Sequence, residues 1–153
     1  MVSRFVSAPL ELPDPEVAFS RADLVFYGID HSGSSFEGQL SLGDESAGSF
    51  FIFGHGGCFG DVGHCDVPSG PQPAHDLRLA HPLTPDTKTV VITEALKRVR
   101  AKGGGTFTVT VVAQVYDPGP LPLGRDLKEP LLFDRLTLLT YDSPPPLPPT
   151  QNR

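Results

Sequence analysis

The sequence predicts an all-β fold, an antiparallel β-sandwich of seven or eight strands with one short helix. Two observations carry that prediction. Stretches in which apolar and polar residues alternate recur along the chain, and a period of two is the mark of a strand with one buried face. Sixteen glycines and seventeen prolines fill about a fifth of the 153 residues. The average share of these two residues is roughly 12%, so there is little room for long helices. Turn signals between the alternating stretches favour a sandwich over a single open sheet.

In chain order, the strand candidates are 16–19, 24–29, 36–42, 48–53, 77–80, 88–92, 106–116 and 131–141. In 36–42, Phe36, Gly38, Leu40 and Leu42 share one face. The stretch 48–53, with Phe50, Phe51 and Phe53, is aromatic enough to predict burial on both faces. In 106–116, Phe107, Val109, Val111, Ala113 and Val115 point one way and Thr106, Thr108 and Thr110 the other. The helix is predicted over 93–102, with Thr93 as its N-cap and Glu94 in the first turn. Gly103, Gly104 and Gly105 stop it. The cations Lys97, Arg98, Arg100 and Lys102 read as a solvated face that complements the helix dipole.

Three stretches read as loops: glycine-rich 54–73, proline-bearing 117–130, and the tail that begins Ser143-Pro144-Pro145-Pro146. Residues 1–142 are expected to form one sandwich domain. The Pro-rich tail 143–153 is expected to run as polyproline II and project from it.

Charge and composition narrow the function. A net charge of −6 argues against a nucleic-acid partner. No run approaches the roughly 18 apolar residues of a membrane span. The first residues lack the apolar core of a signal peptide, so the chain reads as cytoplasmic by default.

The densest chemistry lies in His55-Gly56-Gly57-Cys58-Phe59-Gly60-Asp61-Val62-Gly63-His64-Cys65. Thiolates and imidazoles are the donors that Zn or Cu(I) takes, and His55, Cys58, His64 and Cys65 supply four of them. A Cys58–Cys65 disulfide or two free thiols are the other readings of the same residues. Phe59 stands among glycines, either tucked into the core or presented as an anchor for another surface. His31, in the turn His31-Ser32-Gly33, and likewise His75 and His81, read as ordinary surface or hydrogen-bonded histidines.

Other chemistries are disfavoured. A mononuclear blue-copper site usually wants a Met ligand, and the only Met is Met1. A six-histidine dicopper centre cannot be built from five histidines. No Gly-x-Ser-x-Gly elbow or phosphate loop occurs. The chain is not expected to be an enzyme by itself, and no catalytic residue is assigned.

The order of segments resembles a known domain. Phe26-Tyr27-Gly28-Ile29, Gly48-Ser49-Phe50-Phe51-Ile52-Phe53-Gly54, Val91-Ile92-Thr93-Glu94-Ala95-Leu96 and Gly105-Thr106-Phe107-Thr108-Val109-Thr110-Val111-Val112 follow one another over roughly residues 20–116. They are similar to the β-sandwich that follows the dicopper domain in tyrosinases, polyphenol oxidases and molluscan haemocyanins. Phe53-Gly54-His55-Gly56-Gly57-Cys58 fits bacterial members.

The resemblance implies a cupredoxin-like sandwich that is not itself the catalyst. It implies a module that packs over the copper entrance and places an apolar side chain there, a part for which Phe59 is the candidate. In some fungal tyrosinases accessory cysteines deliver copper, which would give Cys58 and Cys65 a second role. No dicopper domain is present, so the implied partner is a separate tyrosinase-like domain or subunit. Two further expectations stand beside this one. One is a stand-alone Cu(I)- or Zn-binding protein. The other is a module that self-assembles into an oligomer through its edge strands and tail.

Overall fold

The computed structural model describes residues 2–31, 33–55, 84–115 and 130–142. The strand expected at 77–80 and the tail 143–153 lie outside the described residues, as does nearly all of the two inner loops. What is described is an all-β fold: nine strands in three antiparallel sheets, with a single helix among the described residues. The strands are β1 (Val2–Val6), β2 (Leu10–Glu11), β3 (Arg21–Ile29), β4 (Phe36–Leu42), β5 (Glu45–Ile52), β6 (Asp86–Val91), β7 (Thr106–Phe107), β8 (Val109–Val115) and β9 (Arg135–Tyr141). The helix, α1, spans Thr93–Ala101. The first sheet has the order β1-β8-β4-β5, the second β6-β3-β9, and β2 pairs with β7 in a short ribbon. This helix is neither long nor apolar enough to cross a membrane.

The alternating stretches become strands because alternation puts one set of side chains on each face. On β4, Phe36, Leu40 and Leu42 are buried, and on β8 so are Val109, Val111 and Ala113. The two strands lie side by side with Leu40 opposite Val111 and Leu42 opposite Val109. The predicted strand 106–116 is broken at Thr108. There the chain leaves the β2 ribbon and enters the first sheet, and the Ser7 hydroxyl accepts the Val109 N–H at 2.9 Å. That contact satisfies a donor which the change of partner would otherwise orphan.

Two strand expectations need correction, and two strands were not foreseen. Residues 16–19 are not a strand; the chain turns at 14–17, where the Val17 N–H donates to the Asp14 carbonyl at 3.0 Å. Asp14 lies between Pro13 and Pro15, and its carboxylate accepts the Glu16 N–H at 2.8 Å, a local bond that competes with pairing. The stretch 48–53 is not buried on both faces. β5 is an edge strand, and Phe51 and Phe53 are 56% and 79% exposed. The missed strands β1 and β2 are short and end near prolines, which weakens their alternation signal.

Aromatic rings join the layers. Phe5 meets Phe133 at 4.8 Å between ring centroids, Phe133 meets Phe26 at 5.2 Å, Phe26 meets Phe50 at 5.0 Å and Phe50 meets Phe36 at 6.2 Å. Phe5, Phe50 and Phe36 come from the first sheet and Phe26 from the centre of the second. The chain of rings therefore crosses the interlayer space. It needs Gly38, since a Cβ there would sit 2.7 Å from the Phe50 ring.

The helix closes one end of the sandwich through Ala95, Leu96 and Val99. Thr93 is its first residue and not the N-cap, which is Ile92. The Thr93 hydroxyl instead accepts the Ala22 N–H at 3.0 Å, clipping the helix start to β3. After Lys102, Gly103 takes φ +81° and ends the helix as expected. The basic residues are anchored as well as solvated. Arg98 donates to Glu45 at 2.8 Å, and Lys102 bridges Asp44 and Glu45 at 2.8 Å each. Arg100 donates to the Val17 carbonyl at 2.8 Å and lies over the Phe19 ring.

Two predictions follow from this packing. Phe26 is fully buried at the centre of the ring chain. Phe26→Ala should cost about 3–5 kcal/mol in urea unfolding, with an unchanged m value. The second concerns pH. Hydrogen bonds from Lys102 hold the Asp44 carboxyl below its ordinary range, and those from Lys102 and then Arg98 do the same for Glu45. Each carboxyl then binds fewer protons folded than unfolded. The stability it adds is present above the ordinary carboxylate range and fades as pH falls below roughly 4. Lys102→Met should therefore flatten the acid limb of Tm against pH, more visibly at low salt than at high.

Candidate functional site

The site is the end of the sandwich where β5 runs out toward the Cys/His segment. The β4–β5 hairpin pairs Phe36 with Ile52, so the residues before Phe36 meet those after Ile52. Residues 31 and 33–35 and the stretch 53–55 consequently run side by side. The Ser35 hydroxyl accepts the Gly54 N–H at 3.0 Å. Gly54 is required by this approach, because a Cβ there would collide with the backbone of Gly33 and Ser34.

His31 ties the neck together. Its carbonyl accepts the His55 N–H at 2.9 Å. Its ring Nε2 lies 2.7 Å from the Thr84 carbonyl. A carbonyl can only accept, so Nε2 carries the proton and the neutral ring keeps a lone pair on Nδ1. One residue thus holds position 55, where the Cys/His segment departs, and position 84, just past its return. The rings of His31 and His55 meet edge to face, 4.9 Å apart at an interplanar angle of 80°. Phe53 lies against His55 at 5.7 Å. The Nδ1 of His55 is buried and has no hydrogen-bond partner among the described residues. An orphaned buried nitrogen is costly and calls for a reason.

Of the residues singled out by sequence, His55 is at this neck. Cys58, Phe59, His64 and Cys65 lie outside the described residues, as do His75 and His81. Among the described residues no group of three or more His, Cys, Asp or Glu side chains gathers. His31 is the residue that sequence reasoning passed over as an ordinary turn histidine. Its signal was the hairpin register, which brings residues 31 and 55 together despite 23 intervening positions.

Two open depressions elsewhere carry no comparable chemistry. One of about 360 Å³ lies beside the helix C-terminus, lined by Leu42, Val99 and Phe107, and its charged residues Asp44 and Lys102 are paired with each other. The other, of about 320 Å³, lies between β5 and the helix start beside Arg98.

The fold defines an all-β sandwich module. No family model, curated protein or solved structure matches the chain.

Gly54→Val should lower Tm and separate the two histidines. The C2–H proton signals of His31 and His55, which should show a mutual ring-current contribution, would then move toward free-imidazole positions. A variant with native histidine signals would show that the close approach at Gly54 does not set the neck.

Proposed function

We propose that this chain is a non-catalytic accessory module that shields the dicopper site of a tyrosinase-like domain or subunit, docking through the β5 end of its sandwich. The observation that supports this reading is an exposed aromatic pair at the end of an edge strand, Phe51 within it and Phe53 just past it. Phe51 and Phe53 are 56% and 79% exposed, on the stretch that leads into the segment bearing Phe59. Large aromatic side chains at a rigid sheet edge are the kind of anchor that dominates interface energies. Polar residues flank them: Glu37 is paired with Phe51, and Gln114 with Glu37. That arrangement suits an apolar centre with a wet rim. Phe59 is the residue proposed to enter the copper mouth.

The test is diphenol oxidation by a purified tyrosinase-type dicopper enzyme in the presence of rising concentrations of this chain. Inhibition is expected. A Phe51→Ser, Phe53→Ser double variant should raise the inhibition constant by about tenfold or more. Phe59→Ala should raise it with Tm unchanged. A chain that leaves the oxidation rate untouched at every concentration would sink the shielding reading.

A second reading is favoured by a different observation, the two histidine rings in contact where the Cys/His segment begins, with the Nδ1 of His55 unpartnered among the described residues. On this reading the chain binds Cu(I) or Zn, with His55, Cys58, His64 and Cys65 as donors, either in its own right or to pass copper to the partner. Thiolate ligation makes such binding release protons and weaken in acid. A Cys58–Cys65 disulfide would remove both thiolates and reduce the loop to a structural clip.

A further inference from the structure

We propose that β9 pairs antiparallel with β9 of a second copy of this chain, joining two three-stranded sheets into one of six strands. The pairing uses a different sheet from the one that carries Phe51, and so stands independently of the shielding reading.

An edge strand with free N–H and C=O groups is a template for another strand, and proteins protect such edges with charges, bulges or cover. Among the described residues, three of the four edges of the two sheets are protected in this way. Ala47 is an extra residue in β5, which bulges where its register with β4 shifts, and Arg98 donates to the Ser46 carbonyl at 3.1 Å. β6 carries Lys88 and meets β3 across a register shift beside Gly28. β1 has Arg4 at its centre, where a two-fold pairing would set it against its own copy. β9 has none of these devices. Its ladder to β3 runs from Arg135 to Tyr141 without a shift, and the strand holds no Pro, Gly, Lys or acidic residue. Among the described residues no strand borders its outer side.

The sequence of β9 is also self-complementary. With the two strands fully overlapped, Leu138 lies opposite Leu138 of the second copy, Leu136 opposite Thr140, Thr137 opposite Leu139 and Arg135 opposite Tyr141. The last match is one that the sheet already uses on the other side of β9. Arg21 of β3 is opposite Tyr141, with its guanidinium 6.0 Å from the ring centre, and Tyr27 is opposite Arg135 at 4.4 Å. A second β9 therefore offers the same kind of partner as β3 at the same two positions. Across the joined sheet one outward row reads Tyr27 and Arg135, then Tyr141 and Arg21 of the second copy. Arg135 lies between two rings in that row, and cross-strand pairs of this kind stabilise a sheet. Leu136 and Leu138, half-buried against the core in one copy, gain apolar neighbours. Just past each end Asp134 comes opposite Asp142 of the second copy, a local repulsion. With one strand pair as its centre, the contact belongs to the small interfaces that associate weakly and with concentration.

The experiment is sedimentation equilibrium of the whole chain from about 10 μM to about 1 mM, with nuclear Overhauser contacts recorded at the upper end. A monomer–dimer equilibrium is expected, with contacts between the Arg135 and Tyr141 side chains. These residues are six positions apart on one extended strand, about 20 Å, so such contacts arise only from a second copy. Thr137→Lys, on the face away from the core, should weaken the dimer by at least about tenfold with Tm unchanged. Where the variant also loses Tm, the Arg135–Tyr141 contacts of the unaltered chain decide. A chain that stays monomeric up to the highest concentration would overturn the proposal. So would a dimer without those contacts, or one that Thr137→Lys leaves at full strength.

Discussion

The chain of phenylalanine rings through the interlayer space is the contact on which the rest of the molecule depends. A sandwich needs its two sheets held at a fixed distance and register, and rings in tilted and edge-to-face contact do this with directional preference as well as buried area. Phe26 stands in the middle strand of one sheet, and Phe50 reaches it from an edge strand of the other. That places β5, and so the stretch 53–55, relative to β3 and the turn at His31. The site follows from the same hairpin: Phe50 packs against Gly38, and two residues on, Ile52 pairs with Phe36 and so brings the histidines together.

The helix contributes from the other side. Its apolar residues finish the core, while its cations reach back to Asp44, Glu45 and the carbonyl of Val17. These exposed ion pairs are individually weak. Their value is positional, since they fix the hairpin turn between β4 and β5 at the end opposite the histidine neck. The hairpin is thereby restrained at its turn and at its mouth.

Much of this was legible in the residues. The alternation in 36–42 and 106–116 marked β4 and β8, with the buried face assigned correctly, because those strands lie inside the first sheet with one face on the core. The glycine stop at Gly103 was equally plain, since positive φ has few other solutions. Three aromatics within four positions, 50–53, misled, because composition reports apolarity and not which neighbour is absent. An edge strand and a central strand can share a sequence. Thr93 has the chemistry of an N-cap, yet a partner 71 positions away in sequence, the N–H of Ala22, claimed its hydroxyl. The candidate site was half legible. His55 announced itself by its neighbours Cys58 and His64. His31 did not, because its relation to His55 exists only through the hairpin register.

The strand order also governs how this chain can be assembled in time. β1 takes its hydrogen bonds from β8, with Val2 opposite Gln114, and β3 is flanked by β9, with Arg21 opposite Tyr141. Neither sheet is complete until more than a hundred residues have followed its first strand out of the ribosome. Until then Phe5 lacks Phe133, and β3 and β4 each lack a flanking strand, and loop closure over such distances is slow. Only the β4–β5 hairpin can form from local contacts. The nascent chain therefore passes through a long interval in which its strongest packing surfaces are exposed, the condition under which β-proteins call on chaperones.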